Sequence, residues 1–408
     1  MRIRCNVCVV LGLVLMTPGC NPQLKGESSV KQSPSTPAAT TIEEVKAGIT
    51  ENSSALWKTN LRSLGKKSLD ILHFTDINHG WVASHDRLYK TTDAGRTWTE
   101  LAIKMPLDTF FSDVYFVSPT NGWVAVVKAA EDIMDSQSNQ FWIMNTSDGG
   151  QSWTVQYTRS SAVLSRIVLV DDQEGWAVGM NTINVRPMTQ VHYVLHTRDA
   201  GKTWIDVSDG VNRVAADEQN RVQDYSTDIY VRTPSKVMLL SLRGSVFTTD
   251  NDAGNWQRVA TLYDAPQTCN CRLGVTENGG IWVLGGNHSI EGKWGWFARE
   301  ERTNLWKRFR PSGVYFSDAV YLSNNRVIAS GSMSFRTKPN TSKHTEQGVL
   351  LYSSDGGQNW SVVYRSTKMR SIKKLAAVGS DHVWAVGDGG FILSLETSFE
   401  KTGSSIRK

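Results

Sequence analysis

Thr91-Thr92-Asp93-Ala94-Gly95-Arg96-Thr97-Trp98 is the stretch that decides the fold, because the chain repeats it. The pattern is Ser/Thr-x-Asp-x-Gly-x-Ser/Thr-Trp. It returns at Thr146–Trp153 around Asp148, at Thr197–Trp204 around Asp199, and at Ser353–Trp360 around Asp355, where Asn359 takes the second hydroxyl's place. A fifth, stretched copy is expected at Thr248–Trp256 with Asp250 as its acid. The closing Trp98, Trp153, Trp204 and Trp256 stand 55, 51 and 52 residues apart, and Trp306 and Trp360 continue the series after 50 and 54. A period of about 50 over most of a chain means a repeat architecture.

The chemistry of the box explains why these residue types return. Asp-x-Gly is turn chemistry: the carboxylate accepts nearby backbone N–H groups, and glycine takes the position with φ > 0. The Ser/Thr hydroxyls hold the carboxylate in return, and the closing Trp begins the next strand and folds back over the turn. These boxes, with Asp93, Trp98, Asp148, Trp153, Asp199, Trp204, Asp250, Trp256, Asp355 and Trp360, read as structural hairpin staples rather than as catalytic acids.

Ahead of each box runs a second signature, an apolar run and then a turn ending in Gly-Trp or its equivalent: Gly80-Trp81, Gly122-Trp123, Gly175-Trp176 and Val383-Trp384. Each unit therefore reads as four short strands, and four strands per unit of this length is a propeller blade. Seven units fit, with a degenerate box in the fifth and insertions at 128–139, 181–190 and 334–347. The seventh stops before a box Trp. Ser54–Asn60, with Trp57 followed by a polar strand, supplies the missing piece, so the amino-terminal strand is expected to close the last blade and leave no open edge. The fold class is all-β, a single seven-bladed propeller over 53–399 followed by a tail at 400–408, expected to be monomeric.

Residues 1–19 read as an export signal, with Arg2 and Arg4 ahead of a short apolar core. Thr17-Pro18-Gly19-Cys20 resembles a bacterial lipoprotein cleavage box, which makes Cys20 the expected lipidation site and a bacterial membrane the expected anchorage, on the periplasmic or thylakoid-lumen side. Residues 20–52 read as a flexible linker rich in Ser, Pro, Thr and Lys. Without the signal the net charge is 42 − 39 = +3, too small for a nucleic-acid binder.

The Gly175–Gly179 run, the boxes at 146–153 and 353–360 and the lipoprotein-like start together resemble the photosystem II stability/assembly factor family, over about residues 54–398. The resemblance implies a non-enzymatic scaffold that holds newly made membrane protein subunits, photosystem subunits among them. The same repeat occurs in sialidases and two-propeller glucanases, so a glycoside hydrolase or carbohydrate-binding propeller is the alternative. A sialidase needs three converging arginines, for which Arg166, Arg310 and Arg370 are the candidates, with Tyr225 or Tyr315 as nucleophile.

In a propeller built this way the boxes lie on one rim, and the interblade links and insertions lie on the opposite face. Arg166, Arg308, Arg310, Arg365, Arg370, Lys373 and Lys374 are assigned to that opposite face as a basic docking surface for a protein partner. Cys269 and Cys271 form the one cysteine pair in the exported part and read as non-catalytic. No metal ligand set and no cofactor is implied.

Overall fold

The computed structural model describes residues 40–45, 48–51, 57–130, 137–185, 188–216, 224–263, 272–286, 294–299, 305–310, 313–336 and 344–397. The export signal, Cys20, Cys269, Cys271 and the 400–408 tail lie outside the described residues.

Seven antiparallel sheets follow one another along the chain, each formed of four consecutive strands apart from additions at the amino terminus. The innermost strands are Ile71–Phe74, Phe110–Phe116, Ala162–Leu169, Ser226–Thr233, Arg272–Val275, Val314–Tyr321 and Ile372–Val378. Each touches the next, and the seventh touches the first, so the sheets form a closed seven-bladed propeller. The described parts of two of the insertions are strand. Gly175–Val185 pairs with Met188–Thr197, and Val327–Arg336 with His344–Ser353, so blades 3 and 6 carry hairpins longer than the repeat.

Aromatic wedges join the blades. Phe116, at the end of the innermost strand of blade 2, stacks on Trp81 of blade 1 at 3.6 Å and meets the box Trp153 of its own blade edge-on at 6.2 Å. Phe74 repeats this between Trp384 of blade 7, at 3.8 Å, and Trp98, at 6.1 Å. The glycine of the Gly-Trp turn is required by this packing. A Cβ on Gly122 would lie 2.2 Å from the Phe116 ring. Burying such rings contributes roughly 25 cal/mol per Å2 of apolar area, and Trp81, Trp123 and Trp176 are fully buried.

The amino-terminal segment closes the ring. Strand β3 (Trp57–Ser63) pairs antiparallel with Phe391–Thr397 from Trp57↔Thr397 to Ser63↔Phe391, as the outermost strand of blade 7. The residues just before it depart from the linker reading of 20–52. Strand β1 (Ile42–Val45) adds in parallel to Trp306–Phe309 at the edge of blade 5, and β2 (Ile49–Glu51) adds in parallel to Trp360–Arg365 at the edge of blade 6. An outermost strand presents unpaired N–H and C=O groups, which recruit even a polar segment if its aliphatic residues fall on the correct side. Ile42, Val45 and Ile49 do so, packing half-buried against the interblade cores.

Candidate functional site

The boxes are built as their sequence requires. Thr91 Oγ1 and Thr97 Oγ1 donate to Asp93 at 2.8 and 2.6 Å, the Thr97 N–H adds a third bond at 2.8 Å, and the Gly95 N–H donates to Thr91 Oγ1 at 2.9 Å. The same set recurs around Asp148, Asp199 and Asp355. A backbone bond ties each box to the first turn of its own blade, as in Gly149 N–H to Thr120 O at 2.8 Å. All of this chemistry is directed inward, into the turn.

Blade 4 departs from the expected register. The residue in the acid's place is Asn251, not Asp250: Thr249 Oγ1 donates to Asn251 Oδ1 at 3.0 Å, and the Asn255 N–H donates to it at 2.8 Å. Asp250 is exposed. The box is therefore eight residues long like the others, Thr249 to Trp256, with Asp252 and Ala253 in the left-handed region at φ 66° and 65°. The Asp-x-Gly spacing is misleading there because the amide of Asn251 accepts the same bonds as a carboxylate.

The Thr97 hydroxyl, followed by backbone N–H donors, holds the Asp93 carboxyl down to about 2. The Ser152 and Thr203 hydroxyls lower Asp148 and Asp199 in the same way. A carboxyl whose folded pKa is depressed contributes stability above its unfolded value, near ~3.9, and loses that contribution as pH falls through the folded value. Thermal stability should therefore decline between about pH 4 and pH 2. The decline should be shallower in Asp93→Asn, which keeps one acceptor oxygen; parallel acid limbs in the two proteins would show that the box does not titrate.

The axis holds a feature that the sequence reading did not assemble. Pairing against the second strand puts Ile71, Asp113, Arg166, Asp228, Arg272, Asp318 and Lys374 at one register position of the seven innermost strands. Round the ring the charges alternate in sign through six blades, and Ile71 occupies the seventh. Seven is odd, so strict alternation must break once. It breaks at a neutral side chain.

Arg166 lies 3.1 Å from Asp113 and 3.1 Å from Asp228, and Arg272 lies 3.7 Å from Asp228 and 2.5 Å from Asp318. The Arg166 Nε–Asp228 contact has ion-pair distance but not hydrogen-bond direction, so both atoms are without a hydrogen bond. Each acid also latches the next blade through its backbone: Ile167 N–H to Asp113, Leu273 N–H to Asp228 and Leu375 N–H to Asp318, at 2.9, 2.8 and 2.9 Å. A bulge just before the ring residue in blades 2, 3, 4, 6 and 7 turns that side chain toward the axis. Burial opposes charge on Asp318, but Arg272 and Lys374 hold its carboxyl below the usual range. Burial and the neighbouring Arg272 guanidinium pull the Lys374 amine down to about 8.

The cations assigned to the docking surface are thus distributed over several settings. Arg166 and Lys374 belong to the ring. Lys373 is 2.9 Å from Asp70 and 3.4 Å from Asp388 beside it. Arg308 and Arg310 both engage Glu44 of β1, at the edge of blade 5. Arg365 donates to Met333 Sδ at 3.6 Å, and Arg370 is exposed next to exposed Lys368. The three arginines considered for a sialidase do not converge, since Arg166 is on an innermost strand and Arg310 follows an outermost one. Alternating charges at one position of successive apolar strands were the signal that could have found the ring.

Glu174, His196 and Asp252 form the one group of possible metal ligands among the described residues, with ligand atoms within 4.8 Å of one another. The Arg198 guanidinium already pairs with Asp252 and lies 3.9 Å from Glu174, so this cluster is balanced by a fixed cation. Two shallow cavities of about 640 and 600 Å3 open at the first turns, one beside Tyr230 and Tyr321, the other beside His73 and Tyr115.

The family described as photosynthesis system II assembly factor YCF48 matches residues 101–278. The photosystem II assembly lipoprotein Ycf48 of Synechococcus sp. (strain CC9902) is 21% identical over 350 residues, covering 84% of this chain and 88% of the relative. The photosystem II assembly protein Ycf48 of Thermosynechococcus vestitus (strain NIES-2133 / IAM M-273 / BP-1) is 24% identical over 346 residues, covering 72% and 84%. Among solved structures, YCF48 bound to D1 peptide superposes with a TM-score of 0.60 at 20% identity, over 86% of this chain and 100% of that one. An ancestral GH74 enzyme shares the fold alone, with a TM-score of 0.53 at 13% identity, over 83% of this chain and 46% of that one. The chain folds as a seven-bladed propeller and is similar to the photosystem II assembly factors named Ycf48.

Proposed function

We propose that this protein is an exported, lipid-anchored, non-enzymatic assembly factor that holds a membrane protein subunit, a photosystem subunit in the first instance. The observation that carries the reading is the ring. The charged side chains nearest the axis, where a propeller enzyme would gather its catalytic groups, are committed to neighbouring blades, leaving the outer surfaces for recognition. The names of the two relatives, one of them a lipoprotein, support the assembly role and the anchor at Cys20. The solved complex of YCF48 with a D1 peptide supports a photosystem subunit as the kind of partner.

The docking surface is the face opposite the boxes, with Arg365, Lys368 and Arg370 as its cations and the long hairpins of blades 3 and 6 on the same face. Arg166 and Lys374 act there only by keeping the blades in place. The test is capture of solubilised membrane proteins from the native organism by the immobilised full chain. Lys368→Glu with Arg370→Glu should reduce capture about tenfold, as two exposed pairs of up to about 1 kcal/mol each imply, and the loss should grow smaller as salt rises. Lys202→Glu on the box rim should leave capture unchanged. Equal capture by all three proteins would overturn the surface, and hydrolysis of sialosides or β-glucans by the purified chain would overturn the non-enzymatic reading.

A further inference from the structure

Strands β1 and β2 dock in one and the same way. The Trp306 N–H donates to Thr41 O at 3.2 Å and the Trp360 N–H to Gly48 O at 3.0 Å. Ile42 then stands opposite Trp306, and Ile49 opposite Trp360. Each isoleucine is followed two residues later by an acid, Glu44 and Glu51, and the two modules are seven residues apart. One short sequence rule is thus met twice, on two blade edges, in identical register. Main-chain pairing with alternate side chains supplying selectivity is how a sheet edge recognises an extended peptide.

The charges agree with that rule. The edge of blade 5 carries Lys307, Arg308 and Arg310 in succession, and Glu44 engages both arginines. Two of the cations that read as a docking surface for an acidic partner therefore already hold an acid of the chain itself. The hold is modest in area. Ile42, Val45 and Ile49 are half-buried, while Glu43, Glu44 and Thr50 are exposed. A segment held this lightly is open to exchange with one of like pattern.

We infer that the outer edges of blades 5 and 6 are a recognition site for an extended aliphatic-x-acidic segment of a protein partner, and that residues 41–45 and 48–51 are its resident occupants. This rests on the scaffold reading and gives it a second surface. The partner segment pairs in parallel with the outermost strand, with its aliphatic residue opposite the closing Trp and its acid on Arg308 and Arg310. The resident segment withdraws as the partner arrives.

The probe is a fluorescein-labelled synthetic peptide of residues 40–52, and the readout is anisotropy with the full chain. Wild type should bind it weakly, because the edges are taken. Ile42→Asp with Ile49→Asp in the full chain should free them and raise affinity at least tenfold. Glu44→Arg alone, a change at an exposed side chain that should not affect folding, should raise it in the same direction. On the Ile42→Asp with Ile49→Asp background Arg308→Glu should weaken the probe about tenfold, and a probe carrying Glu44→Arg should recover the loss. Equal binding to wild type and to the freed variants, or no binding to folded freed variants, would overturn the site. Capture of the membrane partner by wild type, unaltered in the freed variants, would keep the scaffold reading and remove this edge from it.

Discussion

Arg272→Ala should lower the stability of the propeller by about 3–5 kcal/mol, the range for breaking a buried ion pair by removing one partner. Arg272 stands between Asp228 and Asp318, which are 2% and 0% exposed. Burial alone would lower the guanidinium's pKa, but the two flanking carboxylates raise it. Removing it leaves two dry carboxylates with part of their compensation gone, at the point where blades 4, 5 and 6 meet. The cost should be largest near neutral pH. In the wild type the depressed Asp318 contributes stability above its unfolded value and loses it in acid. In the variant that carboxyl rises instead, so protonation relieves it and the two proteins should converge as pH falls below about 4. Arg272→Met combined with Asp318→Asn should be milder than Arg272→Met alone, because the amide oxygen still accepts the Leu375 N–H while one buried charge is removed. Denaturant melts at several pH values decide the matter; a loss under 1 kcal/mol at neutral pH would mean that the ring is solvated and carries little stability.

Deleting residues 57–63 should have a still larger effect. Strand β3 is the outermost strand of blade 7 and leads directly into blade 1, with Leu64 N–H on Gly390 O at 2.9 Å and Leu69 N–H on Gly387 O at 3.1 Å across the junction. Its removal strips Phe391–Thr397 of its outer partner and leaves the first and last blades joined by their inner strands and the Phe74–Trp384 wedge. Seven ladder pairs at roughly 0.5–1 kcal/mol each come to about 4–7 kcal/mol, which in a chain of this size lowers the melting temperature by about 5–10 °C. Deleting residues 40–51 should cost far less, because β1 and β2 lie outside blades that are already complete. Calorimetry on the two deletions separates closure from decoration; equal and small shifts in both would mean that the ring closes without β3.

What the sequence determined by itself is local. The box closes its hydrogen bonds within eight residues, as Thr91, Asp93, Gly95 and Thr97 do, so its residue types fix the turn wherever they occur. Repetition of that turn fixes the number of blades, and an unmatched Trp57 at one end together with a missing box at the other fixes the closure. Where a box accepts an equivalent donor set through a different residue, as at Asn251, the pattern points to the wrong neighbour. The roles that only the tertiary structure decided belong to residues whose partners come from other blades. In the sequence Asp113, Asp228, Arg272 and Asp318 are each one charge within an apolar strand, and Arg166 and Lys374 are assigned to the docking surface. Closure of the ring puts all six at a single level about the axis, where low dielectric makes each charge depend on the next. Residues 41–45 and 48–51 read as linker for the same reason. Their composition is polar, and what orders them is a pair of strand edges far away in the chain, whose unsatisfied backbone groups exist only once blades 5 and 6 have formed.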